Sequence, residues 1–220
     1  NLDPSATFLF DICLAEDLLQ NAVRPLHQTN LSADHEMMKT VPGTSSNAIA
    51  EAIWLKVAGG LPEVHNLSHL KINIDEHDEA TAMVSRSLLS PPPASENGHT
   101  LVTRGRCMIA HSFRGEQFGP AQALHGCTYV VDARYTFPSL DGPGLKVAHG
   151  HVDAERTLRA ACAHFHQKNL DTLDEFRGEN TTCERVARAL WARTVAALPP
   201  SLREALSRIE IIVRESDVAW

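Results

Sequence analysis

Long apolar runs are missing from this chain. No stretch of its 220 residues approaches the roughly 18 continuous apolar residues that a membrane-crossing helix needs, so no membrane partner is expected. Its opening, NLDPSATFLFDICLAEDLL, carries acids inside the apolar run and no basic leader, and so does not read as a secretory signal. An excess of positive charge is missing as well. Lysine and arginine number 20 against 27 aspartates and glutamates, and the net charge of −7 argues against nucleic acid or an acidic lipid surface as partner. Paired cysteines are absent too: the five, at 13, 107, 127, 162 and 183, are odd in number and contain no CxxC. That usage fits a reducing, cytoplasmic compartment in which any special cysteine acts singly.

What is present is core-forming and metal-binding material. Apolar residues make up 43% of the chain, enough for packed cores, and the length suits one large domain or two of about 100 residues. Histidines number 12, and those at 99, 111, 125, 149, 151, 164 and 166 fall close together, which makes a metal site worth seeking.

An internal repeat organises the sequence. Leu26-His27-Gln28-Thr29-Asn30-Leu31 is answered by Phe165-His166-Gln167-Lys168-Asn169-Leu170, and Thr44-Ser45-Ser46-Asn47 by Thr181-Thr182-Cys183-Glu184. Trp54 is answered by Trp191, Leu61-Pro62 by Leu198-Pro199, Glu76 by Glu215 and Ala80 by Ala219, with an offset that stays between 137 and 139. Each copy reads as helix, loop, helix, strand. Apolar residues at helical spacing mark helices over about 12–26 and 153–165. Ser/Thr caps open second helices at 44–46 and 181–182, Leu-Pro pairs stop them, and strands close the copies at 69–75 and 208–214.

The second copy adds a hairpin, 101–112 with 127–137. The chain therefore reads as α+β, an antiparallel sheet with two helices on one face. A first module, 1–84, holds only the α-α-β part; a Pro/Ser linker spans 85–98; a complete β-β-α-α-β module spans 99–220. The hairpin of the first module is expected ahead of Asn1. Trp54 and Trp191 read as core anchors, His149-Gly150-His151 after Gly-Pro-Gly as an exposed loop, and His27, His65, His69 and His77 as surface residues.

The residues that can carry chemistry are His111 and the run Leu124-His125-Gly126-Cys127-Thr128-Tyr129. Alternate strand residues share a face, so His125 and Cys127 point the same way, and antiparallel pairing brings His111 to the same end. Imidazole and thiolate are zinc donors, and three of them leave a fourth position open. The plainer reading is ordinary strand residues, with Cys127 as a small core hydrophobe.

Met108-Ile109-Ala110-His111, Leu-His-Gly-x-x-Tyr at 124–129, Thr182-Cys183-Glu184 ahead of Trp191, and Arg214-Glu215-Ser216 together resemble the 6-pyruvoyl- and 6-carboxy-tetrahydropterin synthases. The resemblance spans 105–220, with its α-α-β half recurring at 8–82. It implies tandem T-fold modules and oligomers that close sheets into barrels. It also implies a zinc-dependent carbon–oxygen lyase of pterin or queuosine-precursor biosynthesis, acting on 7,8-dihydroneopterin triphosphate. By it, His111, His125 and Cys127 would hold Zn2+ and His166 would act as acid/base. Glu215, and Glu76 in the first copy, would clasp the pterin edge through two charge-assisted hydrogen bonds. Glu184 and Thr182 would add polar contacts, although an acid at that place is also what a helix start favours.

The chain departs from that family at three points. Cys127 replaces the second His of His-Gly-His, and the place of the catalytic Cys is taken by Ala121. The family's Asp-His pair becomes His166-Gln167 in the second copy and His27-Gln28 in the first, and a one-residue shift that keeps His166 puts Phe165 in place of the acid, so the acid is missing in either register. A proton shuttle built on those groups is incomplete. The alternative is therefore a pterin-binding or scaffold protein that has lost catalysis.

Overall fold

Apolar residues at helical and alternating spacing decide where the elements form. The computed structural model describes residues 10–31, 35–63, 67–88, 98–138 and 148–215, with side chains at 148–150 left aside. The Pro-rich part of the linker, His65, Ser216 and Ala219 lie outside these ranges. The chain divides into two compact units: the first takes residues 1–77, 81–101 and 136–142, the second 78–80, 102–135 and 143–220.

In the first unit, α1 (Ile12–Val23) is capped by the Asp11 carboxylate, which accepts from the Cys13 N–H, and continues as a 3-10 turn over 24–26. It ends at Gln28, a non-glycine residue with φ of 53°. Helix α2 (Ser46–Gly59) is opened by Ser45, whose hydroxyl accepts from the Ala48 N–H at 3.2 Å. Strands β1 (His69–His77) and β2 (Ala80–Ser87) form a hairpin. The Thr81–Asp75 side-chain bond at 2.6 Å and the Leu88 N–H on the Ser68 carbonyl at 2.8 Å fix its antiparallel register. Ala22, Ala50, Ile53, Val57, Ile72 and Val84 form the core, with Trp54 packed against it and its indole N–H donated to the Leu70 carbonyl at 2.9 Å.

Two sequence expectations change here. Strand β2 runs through 85–87, which composition had placed in the linker, and β3 begins at Gly98. Alternation of small and apolar residues (Ala80, Ala82, Val84) was the signal for β2, which the neighbouring prolines obscured.

The second unit is built on β3 (Gly98–His111) and β4 (His125–Phe137), whose far ends belong to the first unit. Thr100 bonds Thr136 and Arg104 bonds Asp132, so the strands are antiparallel in a register that sets His111 opposite His125. The strand β6 (Arg208–Arg214) lies beside β4, and the two-residue β5 (Lys168–Asn169) pairs in parallel with β3. Helix α3 (Ala148–Phe165) covers one face: Tyr135 donates to the Ala154 carbonyl at 3.2 Å, and a Cβ at Gly105 would meet Cys162 Sγ at 2.9 Å. It packs on α4 (Cys183–Ala197), which packs on β6, while α5 (Pro200–Ala205) follows the Leu198-Pro199 stop. Helix α3 absorbs His149-Gly150-His151, expected as a loop; its apolar stripe begins only at Ala154, so periodicity started the helix too late. Trp191 is 43% exposed and so anchors no core; Leu190 and Val186 on the same helix are the buried residues.

The opposite face carries one buried charge. Asp132 is 3% exposed and accepts from Arg104 at 2.6 and 3.1 Å and from Arg214 at 2.5 Å, tying β3, β4 and β6 together. Burial pushes its carboxyl up, but the two guanidiniums outweigh burial and hold it below the ordinary 3.8. A depressed carboxylate contributes stability above its unfolded value and loses it as pH falls through the folded one. Asp132→Asn is expected to cost about 2 kcal/mol at pH 7, because two arginines then lose their shared anion. In urea unfolding the gap between variant and native protein should shrink as pH drops below the 3.8 of a free aspartate.

Candidate metal and heterocycle site

The helix-facing side of the second unit's sheet is apolar until its last residues. Cys107, Ile109, Tyr129, Val131 and Ala133 are buried core, and the same face then continues into His111, His125 and Cys127. Polar donors thus stand at the end of an apolar face, where the start of α4 meets them.

His111 is wholly buried. Its Nδ1 lies 3.2 Å from the Thr181 carbonyl and 3.0 Å from the Thr181 hydroxyl. A carbonyl can only accept, so Nδ1 carries the proton and Nε2 presents a lone pair. That Nε2 is buried without a hydrogen-bond partner, and it lies 4.0 Å from Glu215 Oε1. A ring nitrogen of His111, Cys127 Sγ and a Glu215 carboxylate oxygen all lie within 4.8 Å of one another. Donors bound to one tetrahedral zinc sit about 3.5 Å apart, so these three need to close by about an ångström. An orphaned buried nitrogen, a thiol and a carboxylate are a donor set that fits zinc.

Burial, and then the nearby His125, lower His111 below 6.5, against the opposing pull of Glu215, Thr181 and Asp171. Burial and the Glu215 charge push Cys127 up to about 12, with the Tyr129 hydroxyl offsetting part of this. Cys183 is pushed up to about 11 by burial and by Glu215, and its thiol donates to Glu215 Oε2 at 3.7 Å.

The other expected residues fall around this group. The His125 ring lies 4.5 Å from that of His111, centroid to centroid, but its Nδ1–H is given to the Ala123 carbonyl at 2.9 Å and its nitrogens stand outside the close triad. His166, exposed at the end of α3, accepts the Met108 N–H at its Nδ1 at 3.2 Å, which leaves its proton on Nε2. Thr182 caps α4 by accepting from the Arg185 N–H, and its hydroxyl holds the exposed Glu184 below 4.5. Both therefore serve the helix start. In the first unit, Ser46 donates to Glu76 Oε2 at 2.7 Å.

Sequence reading overlooked several groups. Thr181 orients His111, and Ser112 donates to Asp171 at 2.7 Å beside it. The Phe113 ring lies 4.7 Å from that of His111 and 4.8 Å from that of Phe118, centroid to centroid. Cys183 appeared only as a member of the repeat and of the Thr182-Cys183-Glu184 run, with no role of its own. Its place, first in a capped helix whose start faces the strand ends, was the available signal.

A sheet of antiparallel β-hairpins covered by two helices, ending in a cluster of histidine, cysteine and carboxylate that could hold a metal ion, defines an α+β module. The profile described as 6-pyruvoyl tetrahydropterin synthase matches residues 100–220, over half of the chain, and the chain belongs to that family. A solved structure of the 6-pyruvoyl tetrahydropterin synthase of Caenorhabditis elegans is similar at 16% identity, covering 54% of this chain and 95% of that one, with a TM-score of 0.43. No curated protein matches the chain.

A histidine whose folded value is lowered is bound to fewer protons than in the unfolded chain, so stability falls as pH drops below 6.5. In chelator-treated protein, His111→Gln should flatten the loss of stability between pH 6.5 and 5, read by chemical unfolding at each pH.

Proposed function

We propose that the chain is a zinc-dependent, tetrahydropterin synthase-like lyase acting on 7,8-dihydroneopterin triphosphate or a closely related pterin, built from two tandem T-fold modules. The observation that carries this reading is the approach of a His111 ring nitrogen, Cys127 Sγ and Glu215 within 4.8 Å at the end of the apolar face. His111, Cys127 and His125, whose ring lies against that of His111, would hold the zinc. Bound there, zinc would supply a Lewis acid for a side-chain oxygen of the substrate.

The chain's own groups do the rest. Glu215 accepts two adjacent N–H groups of the pterin edge. Phe113 and Phe118 lie along the flat ring and exclude water. His166 holds its proton at Nε2, the form able to donate it. Thr182 and Glu184 add polar contacts at the rim, and Glu76 plays the part of Glu215 in the first module. Support for duplication is local and repeated. Gln28 and Gln167 share φ values of 53° and 58°, a conformation rare for side chains of this kind. Ser45 and Thr182 cap by the same bond to the third residue on, and Ser46 and Cys183 both donate to the terminal glutamate. The protein is proposed to be a cytoplasmic homo-oligomer, as T-fold pockets form between modules.

One observation favours a second reading, a pterin-binding protein without turnover. Ala121, in the place of the family's thiol, offers only a carbonyl, which accepts the Phe113 N–H at 3.0 Å. Phe165, where an acid would orient His166, is fully buried.

Incubation of zinc-loaded protein with 7,8-dihydroneopterin triphosphate decides between them. Release of inorganic triphosphate, reduced about 100-fold in His166→Ala with pterin affinity kept, is the expected result. Tight pterin binding with no triphosphate released establishes the second reading.

A further inference from the structure

Resting on that reading, the geometry points to a different resting metal centre: in the substrate-free protein Glu215, not His125, is the third zinc ligand beside His111 and Cys127. Glu215 Oε1 stands 4.0 Å from the unpartnered, wholly buried His111 Nε2. Its other oxygen, Oε2, accepts the Cys183 thiol at 3.7 Å. A carboxylate held in this way has one oxygen fixed by a neighbour and the other aimed at the two remaining donors. Ligating carboxylates are commonly held so by an outer hydrogen bond. His111 is arranged in the same manner, since Nδ1–H is given to Thr181 and Nε2 is turned inward. Thr181 and Cys183 flank the cap of α4, so one short segment orients two of the three ligands.

His125 is oriented in the same manner, its Nδ1–H given to the Ala123 carbonyl two residues away, but its nitrogens lie outside the close group. Charge favours the carboxylate too: with Cys127 as thiolate and Glu215 ionised, two anions neutralise a divalent cation in a buried place, whereas His111, His125 and Cys127 leave one positive charge uncompensated. A pterin that claims Glu215 for its N–H edge takes this ligand from the metal, and the His125 ring, 4.5 Å from that of His111 and tilted to it, stands next to the vacated position. Pterin arrival and ligand exchange are then one event.

The test is competition titration of chelator-stripped full-length protein with Zn2+, without pterin, alongside Co2+ absorption. Glu215→Gln should weaken zinc binding at least 10-fold and alter the cobalt ligand-field bands while the thiolate charge-transfer band remains. His125→Ala should change zinc affinity less than about threefold, and Cys183→Ala, which removes only the bond to Glu215, should weaken it two- to tenfold. Cooperative urea unfolding of each variant reports whether it is folded, and Cys183→Ala leaves every ligand in place should Glu215→Gln not fold. Native affinity in Glu215→Gln together with lost binding in His125→Ala would overturn the inference and leave the zinc enzyme reading standing. Failure of the native protein to bind zinc at all sinks both.

Discussion

The antiparallel register of β3 and β4 is the constraint on which the site depends. Cross-strand bonds at Thr100–Thr136 and Arg104–Asp132 lock the pairing, and a slip of one residue would turn every side chain to the other face. In the register present, His111 lies opposite His125, Cys127 follows on the same face, and that face is the one α3 and α4 cover. The Asp132 ion cluster on the reverse face therefore does more than bind three strands. It holds in place the alternation that presents donors inward at the strand ends.

Upon that frame, the beginning of α4 completes the site. A helix start carries unsatisfied N–H groups and needs a cap, which Thr182 supplies. The capping turn brings the residue before it, Thr181, to His111 and the one after it, Cys183, to Glu215. Local helix chemistry and site geometry thus share three consecutive residues. Burial disfavours the charged forms of His111 and of the Cys127 and Cys183 thiols. In the zinc site we propose, metal binding would release the thiol proton, which would couple affinity to pH.

The two units use the same local devices on different chemistry. Both end their first helix with a glutamine of positive φ, both cap the second with a hydroxyl, and both set an O–H or S–H donor on a glutamate. Among the described residues only the second unit places histidine and cysteine donors beside that glutamate. In the duplication we propose, the shared parts are those that fold the module, and the parts that differ are those that would hold metal.

Sequence alone determined much of this protein. Helix starts at Ser45 and Thr182 were legible because caps are chosen by bonds within one turn, and the strands read at 69–75 and 208–214 because alternation is local. His111, Cys127 and Glu215 were each picked out by residue type and motif position. The existence of β2, the early start of α3 and the exposure of Trp191 were not legible, since each depends on what packs against the element. Only the tertiary structure decided that Glu215 sits with His111 and Cys127 while the nitrogens of His125 stand outside that group, because which donors share a point is fixed by strand pairing and side-chain bonding between residues far apart in sequence.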